Sequence, residues 1–287
     1  MSEAVRTIAL IGSGAMGEAI IGGLLRTGLT TAEHILASGP RAERGEELKE
    51  KYGVEPYLDN SAAARQADVV VLSVKPQKLK RVLAGLKGEI KPGALVLSIV
   101  AGASIKTLQD GLGHPTVVRC MPNTPAQIGE GITVWTASEA VSSEQLELTR
   151  QILTALGVEV FVEEENYLDM ATAVSGTGPA YVFLFMEAMI DAGVHLGFPR
   201  RISEQLVVQT IRGSVDYYLK RKLHVSALRN EVTSPGGTTA AAMYFLDKAG
   251  FRTAISRAIW AAYERSQELG KGRQGQDPER PATSSQA

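Results

Sequence analysis

The sequence holds a single cysteine, Cys120, so no disulfide can form within the chain, and a lone thiol suits a reducing compartment. Charge of neither sign dominates: 30 Lys and Arg stand against 31 Asp and Glu, which leaves no electrostatic footprint for nucleic acid or an anionic membrane. Histidine is scarce. His34, His114, His195 and His224 share no metal-ligand spacing, so no metal site is expected and none is read as catalytic. HExxH and GxSxG are both missing. The start, MSEAVRTIALIG, lacks a basic region and a cleavage site, so no signal peptide is read there. The longest charge-free stretch, 170–186, is broken by SGTGP and makes a poor membrane span. These absences favour a cytoplasmic chain without a nucleic-acid or membrane partner.

What is present is an ordinary globular composition, 44% hydrophobic and 21% charged, over 287 residues, a length that suits two domains. In the first half, strand-like and helix-like segments alternate. Residues 7–11, 34–38, 68–74, 94–100, 115–121, 131–137 and 158–162 read as strands. Helices are expected at 15–26, 41–51 and 142–156. DVVVLSV and ALVLSIV are continuous apolar runs, as strands covered on both faces require. The expected class is α/β, with a parallel, doubly wound Rossmann-type dinucleotide-binding domain over 1–163. After residue 163 the β-branched runs stop. Helices are expected at 164–174, 180–196, 201–219, 240–249 and 252–269, forming an all-α domain over 164–270. The helix at 180–196 is apolar nearly all round, more than a hundred-residue domain can bury, so a second copy of the chain is expected to cover it. The polar, Gly/Pro/Ser-rich stretch 271–287 reads as a disordered tail.

GSGAMG places Gly12, Gly14 and Gly17 in GxGxxG spacing between the first strand and the first helix. Gly12 permits the turn, Gly14 lets backbone approach a pyrophosphate, and Gly17 lets the helix pack on the sheet. The free N–H groups and positive end of the helix favour the phosphates. An NAD site usually carries an acid at the tip of the second strand. Here the tip reads ASGPRAER, with Ser38 in that place and Arg41 and Arg44 following. Hydroxyl and guanidinium suit a 2′-phosphate, so NADPH is preferred, with NADH possible. SVKP and SIVAG end two further strands and point to the cofactor crevice. Cys120, within RCMPNTP, has no CxxC partner and reads as a buried, inert thiol.

Two stretches of the helical half are chemically odd. SGTGPAY (175–181) and TSPGGTT (233–239) each expose backbone N–H groups and hydroxyls before a helix start, an arrangement that holds an anion such as a carboxylate. Together with IGSGAMGEAIIGGL, SVKP and RCMPNTP, the stretches AVSGTGPAYVF and EVTSPGGTTAAAMYFLDKAGFR resemble the pyrroline-5-carboxylate reductase family over nearly the whole chain except its tail.

The resemblance implies hydride transfer from NAD(P)H to the imine carbon of 1-pyrroline-5-carboxylate, the last step of proline biosynthesis. It also implies an intertwined homodimer, with larger assemblies of dimers known in the family, and an active site built with helices that include the partner's. Gly12, Ser13, Gly14, Ala15 and Met16 would bind the pyrophosphate. Ser38 and Asn60 would approach the adenine ribose and its phosphate. Ser73, Val74, Lys75 and Pro76, with Ile99, Val100 and Ala101, would line the nicotinamide side. The substrate carboxylate would sit on the Ser234 hydroxyl and the N–H groups of Gly237, Thr238 and Thr239. Thr239 would act at the ring nitrogen as proton donor, as relay from water, or by orienting the ring, and Glu165 would face the same nitrogen. Gly17 is often alanine in the family, a difference expected to be harmless here.

Two rivals are weighed. β-Hydroxyacid dehydrogenases are similar in architecture but use a catalytic lysine on the first long helix after the nucleotide domain, and this chain has no lysine between Lys106 and Lys220. A nucleotide-sensing protein would bind NADPH without oxidising it.

Overall fold

A computed structural model of the chain describes residues 6–270. The residues expected to form a disordered tail, from 271 onward, lie outside the described residues. Eight strands form one sheet: β1 (Ile8–Ile11), β2 (Ile35–Ser38), β3 (Glu55–Tyr57), β4 (Val69–Leu72), β5 (Leu95–Ser98), β6 (Val117–Met121), β7 (Gly131–Ala137) and β8 (Gly157–Phe161), in the order β3-β2-β1-β4-β5-β6-β7-β8. Helices α1 (Ala15–Thr27), α2 (Ala42–Tyr52), α3 (Asn60–Ala64), α4 (Pro76–Leu86), α5 (Ile105–Leu112) and α6 (Ser143–Thr154) connect them. Strand order turns at β1, whose carboxyl end therefore opens a crevice for a ligand.

The expected covering of both faces is visible along β1. Ile8 and Leu10 join one buried cluster with Ile20, Leu24 and Trp135, while Ala9 and Ile11 join another with Leu79, Leu83 and Leu108. Alternate side chains of one strand thus feed two cores, which is why the strand sequences are apolar throughout.

One expectation is corrected. The sheet is not parallel throughout: β7 pairs antiparallel with β6, with Cys120 opposite Trp135, and β8 then runs parallel to β7. The cause is the connection. Residues 122–130 hold only a 3₁₀ turn, Thr124–Ile128, too short for the crossover that a parallel pair needs. The short elements β3 and α3 carry too little periodicity to be read from sequence, whereas α4 and α5 repeat apolar residues at helical spacing, Leu79, Leu83 and Leu86 in one and Leu108 and Leu112 in the other, and are additions to the expected helices.

The helical half contains α7 (Tyr167–Ala171), α8 (Gly178–His195), α9 (Arg200–Arg221), α10 (Val225–Glu231), α11 (Thr238–Lys248) and α12 (Phe251–Gly270). SGTGP does not break the chain between α7 and α8. Residues Thr172–Gly176 form a π-helical turn, in which the Thr177 N–H donates to the Thr172 carbonyl at 2.8 Å, and the helix runs on. A π-turn absorbs one extra residue without ending the helix, so the anion-binding start expected there does not form. Among the described residues, Tyr167–His195 is the one stretch long and apolar enough to cross a membrane.

The described residues up to Thr177 and those from Ala261 form one compact unit, and Gly178–Trp260 form a second. Within the second, α8 buries none of its residues, and Phe183, Leu184, Leu219 and Phe245 are all exposed. An apolar surface of this kind marks a contact with another protein chain.

Candidate dinucleotide and carboxylate sites

At the carboxyl end of β1 the backbone turns at Gly12, with φ +103°, and its N–H donates to the Ser38 carbonyl at 2.8 Å. The Ser73 hydroxyl donates to the Gly12 carbonyl, so the ends of β1, β2 and β4 are tied together. Gly14 caps α1 without a side-chain hydrogen bond, leaving the first N–H groups of the helix open to a ligand. A Cβ on Gly14 would meet no atom within 4 Å, so backbone there faces free space, as contact with a pyrophosphate demands. Gly17 suits this turn as glycine. A Cβ there would stand 2.6 Å from the Gly12 carbonyl oxygen, so alanine requires this turn to shift.

A cavity of about 840 Å³ opens above this turn. Gly12, Ser13, Gly14, Arg41, Asn60, Ser73, Val74 and Lys75 line it. Ala15, Met16, Gly17, Ser38, Pro76, Ile99, Val100 and Ala101 are not among the lining residues. Ser38 is fully buried and gives its hydroxyl to Asn60 Oδ1 at 2.7 Å, so Asn60 is the member of that pair that reaches the cavity. Pro76 takes the first position of α4, whose missing N–H costs nothing there. Sequence reasoning missed Lys78, Arg81, Val82 and Gly85, which line the cavity from α4. Their spacing from Lys75, three to four residues at a time, was the available signal.

Arg44 also lines the cavity but is already committed. Its Nε donates to the Ser13 carbonyl at 3.0 Å, and its guanidinium pairs with Glu18 and with Glu47. Arg44 therefore braces the glycine turn. The Glu18 carboxyl is held down to about 2, first by the hydrogen bond from Lys51, then by Arg44. A depressed carboxyl stabilises the fold above its unfolded value, near 4.5, and loses that contribution as pH falls toward about 2. Denaturant unfolding at pH 6 and pH 2.5 is expected to show a loss of about 1 kcal/mol that Glu18→Gln removes. An equal loss in the variant would assign acid sensitivity elsewhere.

Arg119 of β6 is 5% exposed and donates to Glu165 Oε1 at 3.0 Å and to Asp169 Oδ1 at 2.8 Å. Glu165 also accepts the Ile105 N–H at 2.8 Å, capping α5 immediately after the loop that holds Ile99, Val100 and Ala101. The buried Ser266 hydroxyl donates to Asp169, which draws the end of α12 into the same network. Sequence reasoning did not find Arg119, because one arginine inside an apolar strand carries no motif. Cys120 beside it is buried, and burial pushes its thiol well above the ordinary range, which suppresses the reactive thiolate. His114 is buried too, bonded to the Ala94 carbonyl and Thr116, and His224 caps α10.

In the second compact unit, Ser234 and Gly237 close a turn in which the Gly237 N–H donates to the Ser234 carbonyl at 3.1 Å. Gly236 has φ +73°, and α11 begins at Thr238 with no side-chain cap. The N–H groups of Thr238 and Thr239 therefore lack partners within the helix, and the Ser234 hydroxyl lies over Gly237, where a Cβ would come within 2.6 Å of it. Gly237 must be glycine for the hydroxyl to sit there. Hydroxyl, N–H groups and helix dipole together suit one carboxylate.

A doubly wound sheet with an open glycine turn, a basic cavity and an anion cup on a helical unit defines a dinucleotide-dependent oxidoreductase that self-associates through its helices. The pyrroline-5-carboxylate reductase dimerisation family matches residues 165–269, and the family described as NADP oxidoreductase, coenzyme F420-dependent, matches residues 7–102. The chain is 43% identical to a pyrroline-5-carboxylate reductase of Synechocystis sp. over 92% of its own length and 98% of the relative's. It belongs to the pyrroline-5-carboxylate reductase family. A pyrroline-5-carboxylate reductase of Pseudomonas aeruginosa is also 43% identical, over 91% of this chain and 96% of the relative. Among solved structures, the Plasmodium falciparum pyrroline carboxylate reductase with NADP bound superposes with a TM-score of 0.86 at 34% identity, covering 92% of this chain and 98% of that one.

Proposed function

We propose that the chain reduces 1-pyrroline-5-carboxylate to L-proline at the expense of NAD(P)H, the last step of proline biosynthesis. The observation that carries this reading is the turn before α11, whose Ser234 hydroxyl and open Thr238 and Thr239 N–H groups suit a carboxylate, in a chain that also carries an open dinucleotide turn. When bound, the cofactor supplies a hydride to the imine carbon, and one proton is taken up at the ring nitrogen. The protein's task is to hold and orient. The Ser234 hydroxyl and the N–H groups of Thr238 and Thr239 would fix the substrate carboxylate, while the Gly237 N–H, expected to join them, is held by the Ser234 carbonyl. Thr239 would place its hydroxyl at the ring nitrogen, giving or relaying the proton. Glu165 is bound by Arg119 and Ile105, and its contribution would be to steady the loop after β5 against the nicotinamide. Gly12, Ser13, Gly14, Ala15 and Met16, at and around the glycine turn, would seat the pyrophosphate, with Lys75, Arg41 and Asn60 reaching it or the adenosine from the cavity wall.

The functional division is placed at residue 163, just after β8, with the dimer intertwined through the helices beyond it and dimers joining into larger assemblies. We also assign the enzyme to the cytoplasm, in keeping with its single buried thiol. Purified protein mixed with NADPH and 1-pyrroline-5-carboxylate should consume the cofactor, followed by absorbance. Binding without oxidation would replace this reading with a nucleotide sensor. Thr239→Val should lower kcat by about 100-fold with NADPH affinity near wild type. A fully active variant would remove Thr239 from the proton step.

A further inference from the structure

We propose that the last turns of α12 position the nicotinamide side of the dinucleotide site, with Ser266 and Gly270 holding the loop after β5 in place. The proposal rests on the reading that Ile99, Val100 and Ala101, in that loop, line the nicotinamide. β5 runs parallel to β4 and β4 to β1, so the loop opens on the same edge of the sheet as the glycine turn.

The loop is a turn pressed against a helix end. The Ala103 N–H donates to the Val100 carbonyl at 3.3 Å, and Gly102 within that turn is buried with φ +74°. A Cβ on Gly102 would stand 2.8 Å from the Gly270 nitrogen and 3.1 Å from the Leu269 carbonyl carbon. Backbone of the loop therefore lies directly on backbone of α12. The approach is reciprocal, since a Cβ on Gly270 would stand 2.8 Å from the Gly102 carbonyl oxygen. Gly270 ends α12 without a positive φ, so the contact with Gly102, and not the local conformation, is what excludes a side chain there. These residues all belong to the first compact unit.

The end of α12 is fixed in turn. Ser266 is 2% exposed and donates to Asp169 Oδ1 at 2.9 Å. Arg119 holds Asp169 and Glu165 together, and Glu165 accepts the Ile105 N–H just past the loop. The contacts close a circuit: from Ile105 through the two carboxylates and Arg119 to Ser266, along α12, and back to Gly102. One network thus grips the loop at its turn and at its end. An apolar side chain would seat a helix end equally well, whereas a buried hydroxyl spent on Asp169 ties the setting of α12 to the arginine that fixes Glu165. A misplacement of roughly 1 Å, set far from the reacting atoms, can cost about 100-fold in rate, so such a grip bears on hydride transfer.

The test separates the two halves of the cofactor. NADP⁺ and adenosine 2′,5′-bisphosphate, which lacks the nicotinamide half, are titrated into the full chain by calorimetry. Gly270→Ala pushes on Gly102 while alanine is the better helix former, and Ser266→Ala opens the circuit at Asp169. Each should weaken NADP⁺ binding by about 10-fold and bisphosphate binding by less than about two-fold. Each should also lower kcat at saturating NADPH by about 10-fold. Glu268→Gln, exposed on the same turn and paired only with Arg265 among the described residues, should change none of these. Equal losses for both probes would show general loosening and overturn the proposal. So would wild-type binding of both probes by either variant, or a matching loss in Glu268→Gln. Any of those results beside normal proline formation defeats the positioning role and leaves the reductase reading intact. The expected split between probes in a chain that does not turn over 1-pyrroline-5-carboxylate does the reverse.

Discussion

Arg119→Met is expected to destabilise the protein by about 3–5 kcal/mol, read as a shift of the denaturant midpoint with unchanged slope. The arginine is 5% exposed and satisfies two carboxylates that otherwise approach each other. Methionine fills similar volume but leaves Glu165 and Asp169 without their cation. Burial of the arginine makes the loss larger than for a surface pair, because water reaches the stranded carboxylates only in part. The variant Arg119→Met/Asp169→Asn should recover part of the loss, since one of the stranded charges is then gone. Stability within 1 kcal/mol of wild type, about the worth of an exposed pair, would show that the network is not holding the end of β6, α7 and the end of α12 together. Because Glu165 also caps α5, the single variant should raise KM for the cofactor even where the protein remains folded.

Gly12→Ala should weaken NADP⁺ binding by about 100-fold, measured by calorimetry on folded protein. The φ of +103° is costly for any residue with a side chain, about 1–3 kcal/mol. Space is lacking as well: the new Cβ would stand 2.8 Å from Val74 Cγ1 and 2.9 Å from the Ser73 carbonyl. The turn must therefore move, and with it the open N–H groups at the start of α1 that are proposed to hold the pyrophosphate. Each 1.4 kcal/mol of misplacement costs tenfold in affinity. Gly14→Ala offers the contrast, since its Cβ meets nothing in the protein. That variant should keep wild-type stability and lose cofactor affinity only. Wild-type affinity in Gly12→Ala would mean that the turn does not position the cofactor.

Much of the nucleotide unit was legible in the chain because its signals are local. The run IALI, the glycines at 12, 14 and 17 and the helix after them are one uninterrupted grammar of strand, turn and helix, and they fold as written. The turn and helix start at Ser234 to Thr239 were legible for the same reason: glycine, hydroxyls and a helix start are adjacent in sequence. The antiparallel β7 was not, since GITVWTA alternates identically whichever way it runs, and only the short connection decides its direction. The π-turn was misread as a break because glycine and proline weaken a helix in isolation but not where packing carries it through.

By itself, the sequence determined the class of fold, the glycine turn, the hydroxyl-rich helix start at Thr238 and the surplus of apolar helix surface that calls for a second copy. Only tertiary structure decided which cations share a cavity, that Ser38 turns inward to Asn60, that Arg44 braces rather than binds, and that Arg119 joins three elements. The division has one physical cause. Backbone conformation and periodicity are set by neighbours along the chain, whereas a side chain's electrostatic partner is set by which distant segments the folded path brings within a few ångströms.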